Sequence, residues 1–392
     1  MAVNDRDEYE GPRTPRENEW EAVAELGRSI FFKDAASYWE AARSWPMVLQ
    51  PNVRQNMLTM FKDGQPVSTI GRLERDILVH GHRLRMGFIG GVCTHPDHRG
   101  KGLASTILAA MMRQFHHDDV DFVYISGTRS LYFGAGANHV AIETRFVLDK
   151  NNFGPDKQTF SKSLDVQLRP ANLEDIDTLV AIAEREGVRF IRPRKDFELV
   201  MENKHCGGQP CEFHLIKLRE IPVGYLLLRG RVEHNENLKL IEFAGDRLCL
   251  LSALGKIVQR LSDSASLEVN VPGDLLIKLL HSAGVQGNLV KTGGTMKVID
   301  FCRTMRKLLP YFRERLTGWT CLDLNLAAGK ERYVAWNEEG ILELDGESNM
   351  LWTLLSKPPD AQIEGLKVTG RMRELIELCL PVPVPLLYLN MI

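Results

Sequence analysis

The stretch from Val92 to Ser105 (VCTHPDHRGKGLAS) combines residue types that can bind a phosphate anion. Gly100 and Gly102 have no Cβ, so backbone N–H groups there can approach an anion closely. Arg99 and Lys101 add full positive charges, and the start of the helix that follows would add unpaired N–H donors. The stretch matches neither a P-loop nor a GxGxxG dinucleotide turn. It predicts a pyrophosphate site; the alternative is an ordinary strand-to-helix junction with a basic cap.

A strand before this turn and a helix after it would position it. Met86–Thr94 is an apolar run typical of a strand, and apolar residues four apart favour a helix over Leu103–His116. Two earlier runs, 56–61 and 67–78, are separated by a short turn and predict an antiparallel meander. Further strands at 122–126 and 140–148 would complete a first unit near residue 150.

A second unit repeats this order of elements. Its predicted elements are strands at 166–170, 213–218, 223–231 and 238–244 and a helix at 248–261. The last hundred residues instead predict a strand at 295–299 and a hairpin around 333–344, which is typical of a small α+β domain. We therefore expect a mixed α/β and α+β fold in three domains, 1–150, 151–292 and 293–392.

Composition bounds the class of protein. The 392 residues include 49 basic and 51 acidic side chains, and the net charge of −2 argues against electrostatic binding of nucleic acid. The polar first twenty residues do not match a secretory signal, and no run is long enough for a membrane span. Seven scattered cysteines do not make a disulfide framework. We expect a cytoplasmic protein with neither a nucleic-acid nor a membrane partner.

The turn resembles motif A of the GNAT acetyltransferase superfamily, in which RxxGxG or RxxGxA holds the pyrophosphate of acetyl-CoA. Here the pattern is Arg99, Gly102 and Ala104. The resemblance implies a cofactor site made of two runs. These are the pantetheine strand, Val92, Cys93 and Thr94, and the pyrophosphate turn, Arg99, Gly100, Lys101, Gly102, Leu103, Ala104 and Ser105.

The three-part layout is similar to the Eis (enhanced intracellular survival) group, which has tandem GNAT domains and a C-terminal domain like sterol carrier proteins. That resemblance implies transfer of an acetyl group to a primary amine, of a small molecule, an aminoglycoside or a lysine, and a homo-oligomer, a hexamer in Eis relatives. The second unit reads Ala244-Gly245-Asp246-Arg247 where the turn should stand. An aspartate at that helix start would cap it and repel a pyrophosphate, so we expect this unit to be non-catalytic.

Two catalytic residues are implied by the resemblance. Leu131–Gly136 (LYFGAG) matches the LYxxxG of the family, whose tyrosine, here Tyr132, protonates the departing thiolate. The aromatic residue expected next is replaced by Ala137. In Eis-like proteins the C-terminal carboxylate serves as the base, which here would be Ile392, although the apolar tail could equally be a packed last strand. His95 or His98 could take the role of the base, or else cap the turn or contact CoA.

Other interpretations of the sequence remain open. The chain could be a non-catalytic acyl-CoA or lipid-binding module, or a pure assembly protein that binds no CoA. The segment His205–His214 holds two cysteines and two histidines, which allows a zinc site, but a Gly-Gly-Gln-Pro turn explains the same residues and we expect no metal.

Overall fold

The fold consists of three β-sheets with helices packed on them. The computed structural model describes residues 8–47, 51–153, 164–230, 237–316, 323–356 and 365–385. The architecture is mixed α/β, as the sequence predicts. Among the described residues, no helix is both long enough and apolar enough to cross a bilayer.

The first sheet carries the phosphate turn. Its strands are β1 (Glu10–Arg13), β2 (Met57–Lys62), β3 (Gln65–Val79), β4 (His82–Thr94), β5 (Phe122–Ile125), β8 (Val188–Ile191) and β15 (Thr295–Val298). They lie in the order β1-β2-β3-β4-β5-β15, and β8 pairs with the end of β3. The expected antiparallel meander is confirmed as β2, β3 and β4. β4 and β5 run parallel.

Helices cover both faces of this sheet. They are α1 (Trp20–Phe31), α2 (Tyr38–Ser44), α3 (Leu103–His117) and α4 (Ser130–Gly134). Since successive strand residues point to opposite faces, Phe88 of β4 packs in the cluster that contains α1, and Ile89 in the cluster that contains α3. The apolar residues four apart that predict α3 are Leu103, Ile107, Met111 and Phe115, and all four are buried. α3 supplies the crossover that two parallel strands need.

The second sheet has the same succession of neighbours. Its strands are β6 (Glu143–Leu148), β7 (Val166–Pro170), β10 (Gln209–Leu218), β11 (Ile221–Arg229), β12 (Leu238–Gly245), β13 (Leu267–Pro272) and β14 (Asn288–Val290). The order is β7-β10-β11-β12-β13-β6-β14, with β9 (His205–Cys206) beside β10. Four helices accompany it: α5 (Ile176–Ala183), α6 (Arg194–Asn203), α7 (Arg247–Arg260) and α8 (Leu275–Ser282). β12 and β13 are the parallel pair of this sheet, and α7 connects them.

The two sheets exchange strands. The strand at 143–148, which the sequence places in the first unit, pairs antiparallel with β13 in the second sheet. The strand at 295–298, which the sequence places in the third unit, pairs antiparallel with β5 in the first sheet. In each sheet the exchanged strand lies next to the second strand of the parallel pair. Strand pairing therefore crosses the expected limits at residues 150 and 292.

A small antiparallel sheet completes the fold. It contains β16 (Asn325–Ala328), β17 (Arg332–Asn337), β18 (Gly340–Asp345) and β19 (Leu366–Val368), with α9 (Phe301–Arg315), α10 (Glu347–Leu355) and α11 (Met372–Cys379) around it. The predicted hairpin is confirmed by the pairing of β17 with β18. α9 is anchored to the first sheet, because Lys307 Nζ lies 2.9 Å from Oδ2 of the buried Asp121.

Candidate active site

A cleft opens where β4 and β5 separate. The two strands pair only from Met86 to Ile89 on β4, and the last tie is the Ser126 N–H, which donates to the Ile89 carbonyl at 2.9 Å. Beyond it β4 continues to Thr94, and within the described residues no strand pairs with that edge. β4 also carries one extra residue at Gly91 and Val92 relative to β3, a β-bulge. The cleft therefore presents free backbone groups of β4 at the carboxyl ends of two parallel strands.

The N–H groups of β4 near the cleft point in alternate directions. The His95 N–H donates to the Val67 carbonyl on β3 at 2.8 Å. Cys93, two residues before His95 on β4, pairs with Thr69 of β3. Because alternate residues of an antiparallel strand bond to the same neighbour, the Cys93 N–H is directed at β3 and the Thr94 N–H at the cleft. Thr94 is thus the better-placed donor to a group bound there, a distinction that the sequence does not make.

The phosphate turn is open to solvent. Gly100 and Gly102 have φ values of 77° and 75°, in the left-handed region, and a Cβ built on either would meet no atom within 4 Å. Gly102 is the N-cap of α3, and no side chain caps the helix there. The N–H groups of Leu103, Ala104 and Ser105 are therefore available to an anion.

The side chains of the predicted turn residues divide into two groups. Those of Lys101 and Ser105 are exposed, whereas Leu103 is buried in the core under α3. Leu103 can therefore contribute only its backbone to an anion site. The same core cluster holds Val92, so the wall of the cleft and the start of the helix are packed together.

Three cations around the cleft have no carboxylate partner in the part of the chain that the structure describes. Within the described residues, no carboxylate oxygen lies within 4.0 Å of the charged groups of Arg99, Lys101 or Arg129. Arg99 is held at the mouth of the cleft because its Nε donates to the Thr94 carbonyl at 3.3 Å. In a chain of net charge −2, such a group of unpaired cations favours an anionic ligand.

Arg129 is a site residue that sequence reasoning missed. It immediately precedes α4 and is exposed, and its charge is close enough to lower the pKa of both Cys93 and Tyr132. Cys93 lies on β4 and Tyr132 on α4, so Arg129 lies near both walls of the cleft. Its position just before the LYFGAG segment is the one signal that could have pointed to it.

Tyr132 is packed into the wall of the cleft on α4. It is 2% exposed and belongs to the same core cluster as Val92 and Leu103. A Cβ on Gly127 would lie 2.9 Å from Cε2 of its ring, so glycine is needed for this close approach. Burial raises the pKa of Tyr132, which keeps its phenol protonated at neutral pH. Ala137, which replaces the expected aromatic residue, is fully buried in the same cluster.

Other candidate groups have structural roles or lie elsewhere. Burial raises the pKa of the Cys93 thiol to about 12, although Arg129 and Arg99 oppose this, so the thiol is a poor nucleophile. His95 Nδ1 accepts from the Asp97 N–H at 3.4 Å and caps the turn, one of the roles expected for it. Ile392, the expected base, lies outside the described residues.

The equivalent position of the second sheet has the opposite chemistry. Asp246 caps α7, since its Oδ1 accepts from the N–H groups of Leu248 and Cys249 at 3.0 and 2.9 Å. This confirms the predicted cap. The carboxylate occupies the donors that an anion would use, so this helix start is not an anion site.

A second cleft, at the ends of β12 and β13, is a cavity of about 300 Å³ in which two of the three lining arginines pair with carboxylates. Arg247 binds both Glu186 and Asp274 across the separated strands, at 2.6 and 2.7 Å. Arg192 and Glu242, both almost fully buried, form a second pair at 2.8 Å. With three arginines and three carboxylates, the lining has a balanced formal charge, in contrast to the first cleft, where no described carboxylate contacts Arg99, Lys101 or Arg129.

The segment His205–His214 forms a hairpin, with β9 paired to β10 across the Gly207-Gly208 turn. Burial raises the pKa of the Cys206 thiol to about 12. Among the described residues, no group of three or more histidine, cysteine, aspartate or glutamate side chains is arranged to hold a metal ion.

Comparison with known families finds a match for the first unit. Residues 12–138, which include β4, the turn, α3 and α4, match the acetyltransferase (GNAT) domain family. The match covers about a third of the chain and supports a function in acyl transfer for this unit. A search of curated proteins finds no match.

Solved structures share the fold over most of the chain. A GCN5-related N-acetyltransferase from Anabaena variabilis has a TM-score of 0.59 at 12% identity, covering 92% of this chain and 84% of that one. A probable N-acyltransferase from Enterococcus faecalis has a TM-score of 0.58 at 14% identity, covering 91% and 84%. Eis1 from Mycobacterium abscessus has a TM-score of 0.53 at 11% identity, covering 84% and 83%. At such low identity these likenesses establish the fold alone.

Proposed function

We propose that this chain is an acetyl-CoA-dependent N-acetyltransferase that transfers an acetyl group to a primary amine within a ternary complex. The observation that carries the proposal is the open turn with unpaired cations at the end of the β4–β5 cleft, beside a protonated tyrosine. The GNAT match over residues 12–138 supports the same reaction.

In the proposed complex, the N–H groups at the start of α3, together with Arg99 and Lys101, bind the pyrophosphate of acetyl-CoA. The pantetheine arm enters the cleft along Val92, Cys93 and Thr94, where the edge of β4 offers backbone groups for it. This places the thioester carbonyl near the inward-directed Thr94 N–H, which would stabilise negative charge on the carbonyl oxygen.

The chemical step then forms one bond and breaks one. The neutral amine attacks the thioester carbon, a C–N bond forms, the C–S bond breaks, and Tyr132 gives its proton to the departing sulfur. The amine nitrogen loses a proton to a base. The base stays a prediction, the terminal carboxylate of Ile392, and deletion of Ile392 that left turnover unchanged would exclude it.

Calorimetric titration with acetyl-CoA tests the binding step. The expected result is micromolar binding by the wild type and none by the double variant Arg99→Ala, Gly102→Glu. Gly102→Gln is the matched control for Gly102→Glu, because both add a long side chain at a left-handed position and only one adds a negative charge. Loss of binding in Gly102→Glu but not in Gly102→Gln would show that the added negative charge causes the loss. Equal loss in both variants would show that the bulk of the side chain causes it.

A screen of amines with acetyl-CoA then tests turnover. Release of CoA that depends on the amine supports the enzyme. Binding of acetyl-CoA without release in a panel of aminoglycosides, polyamines and lysine peptides would favour the alternative, a non-catalytic acyl-CoA or lipid-binding module. The sterol-carrier-like nature of the third domain, the homo-oligomer and the cytoplasmic location stay predictions.

A further inference from the structure

An aromatic side chain from the start of the chain lies against the phosphate turn. Tyr9, just before β1, is buried in the core under α3. Its hydroxyl is 3.0 Å from Nδ1 of His98, a residue of the turn, and the two rings meet edge to face with centroids 5.8 Å apart. The segment before β1 is therefore fixed to the turn, although it is 89 residues distant in sequence.

Two ammonium groups converge on the ring of Tyr9. Lys62 Nζ, from the end of β2, lies 5.5 Å from the ring centroid, and Lys101 Nζ, from the turn, lies 5.7 Å from it. Both distances are within the range of a cation–π contact. The ring thus holds near each other two cations that come from different parts of the chain.

The two lysines of this cluster differ in their carboxylate contacts. Glu8 pairs with Lys62 at 2.7 Å, while within the described residues Lys101 has no carboxylate within 4.0 Å. Burial and the nearby charges of Lys101, His95 and Lys62 lower the pKa of His98, which keeps its ring neutral at neutral pH. Asp97 and Asp63 act on His98 and Lys62 from a greater distance, so the charge left without a direct carboxylate contact among the described residues is that of Lys101, and an anionic ligand would pair with it.

We propose that Lys62 and Lys101, held over Tyr9, form a second anion subsite that takes the 3′-phosphomonoester of CoA. This inference rests on the proposed function, in which the turn binds the pyrophosphate. The 3′-phosphate is attached to the ribose adjoining that pyrophosphate, and Lys101 immediately precedes Gly102 at the start of α3. Arg129, which also has no carboxylate within 4.0 Å in the described part of the chain, lies near Cys93 and so on the pantetheine side.

The subsite predicts discrimination between CoA and dephospho-CoA, which lacks only the 3′-phosphate. The measurement is calorimetric titration of the full chain with both ligands at low salt. We expect the wild type to bind CoA at least about tenfold more tightly, the size of a charge-assisted phosphate contact. Lys62→Met and Lys101→Met should each reduce this ratio about threefold and together bring it near one. Methionine keeps an unbranched apolar stem against Tyr9.

A carboxylate variant tests the same subsite in the opposite direction. Glu8→Gln removes the negative charge beside Lys62, so the preference for CoA should rise by about threefold while dephospho-CoA affinity stays the same. Lys150→Met is the control, because Lys150 pairs with the exposed Asp263 in the second unit and should change neither affinity. Since one variant strengthens binding and the others weaken it, a general loss of folding cannot produce the expected pattern.

The outcomes separate the subsite from the proposed function. Equal affinity of the wild type for both ligands would overturn the subsite and leave the pyrophosphate site standing. Lysine variants that weaken both ligands and leave the ratio of the two affinities unchanged would place these side chains on the pyrophosphate alone, which also overturns the subsite. Failure of the wild type to bind either ligand would overturn the proposed function and the subsite together.

Discussion

Replacement of Tyr132 by phenylalanine separates a catalytic role from a packing role. The side chain is 2% exposed in the core under α3, so truncation to alanine would leave a cavity and cost about 3–5 kcal/mol of stability. Phenylalanine keeps the ring and removes only the hydroxyl. If the phenol protonates the departing thiolate, we expect kcat to fall by about 100-fold, which corresponds to about 2.7 kcal/mol of transition-state stabilisation.

The same variant should leave acetyl-CoA binding nearly unchanged. Arg99, the α3 N–H groups and the β4 edge make the proposed contacts with the cofactor, and none involves the phenol. The dissociation constant from calorimetry should therefore stay within about twofold of the wild-type value, and the midpoint of thermal unfolding should move little. Tyr311→Phe is the control, because Tyr311 is equally buried but lies in the cluster on the opposite face of the first sheet.

The pH dependence provides an independent readout. Burial raises the pKa of Tyr132, so the phenol stays protonated to higher pH than an exposed tyrosine. Thiol release by the wild type, followed with a thiol-reactive dye, should therefore show no loss of rate from deprotonation of this group up to about pH 10, the ordinary tyrosine pKa. A kcat within about threefold of wild type in Tyr132→Phe, or a fall in affinity that matches the fall in kcat, would refute the acid role.

Three further variants test other parts of the site and its support. Arg129→Met should weaken acetyl-CoA binding by about three- to tenfold, and the difference should shrink as salt is raised, because the guanidinium is exposed; an unchanged affinity in calorimetry would remove Arg129 from the site. Cys93→Ser should leave turnover within about threefold and mass spectrometry should detect no acyl-enzyme in the wild type, since burial raises the thiol pKa to about 12; an acylated Cys93 would contradict direct transfer. Two bonds from Arg13 lower the pKa of Glu19 to about 2, so its contribution to stability is complete above about pH 4.5 and is lost as pH falls toward 2. Glu19→Gln should therefore cost about 1 kcal/mol at pH 7 and almost nothing at pH 2 in urea unfolding, and an equal cost at both pH values would contradict the pairing.

Sequence reasoning succeeded where the signal is local. The strand, turn and helix from Met86 to His116 follow from a short pattern of apolar residues and glycines. In the structure the ends of these elements agree with the prediction to within one residue, except that β4 begins earlier, at His82. The cap at Asp246 is equally local, because an aspartate before a helix bonds to N–H groups two and three residues on.

Features that depend on distant contacts were not predictable from one sequence. The strand at 143–148 has a pattern that suits either sheet, and only its partner β13, more than a hundred residues later, decides between them. The contact of Tyr9 with His98 spans 89 residues, and nothing in the sequence around Tyr9 indicates it. Arg129 was not predictable for the same reason, because its importance comes from its proximity to both Cys93 and Tyr132, which lie on different elements.

The contrast between α3 and α7 explains how one arrangement of strands supports two kinds of cleft. Both helices follow the first strand of a parallel pair, and both would present unpaired N–H groups at their first turn. At α7 the N-cap is Asp246 in extended conformation, and its carboxylate satisfies these groups internally. At α3 the N-cap is Gly102 in left-handed conformation, which supplies no side-chain acceptor and leaves the groups to a ligand.

The basic side chains beside the two helix starts differ in the same way as the N-caps. Next to the capped helix, Arg247 is bound by Glu186 and Asp274, so it is held within the protein. Next to the uncapped helix, Arg99 and Lys101 have no such partners among the described residues. An uncapped helix start surrounded by unpaired cations is destabilising in the free protein, because orphan donors and like charges are both unfavourable. Free N–H donors and cations are therefore concentrated at the first cleft, and the corresponding groups at the second cleft are paired within the protein. An anionic ligand at the first cleft explains this difference better than the stability of the fold does.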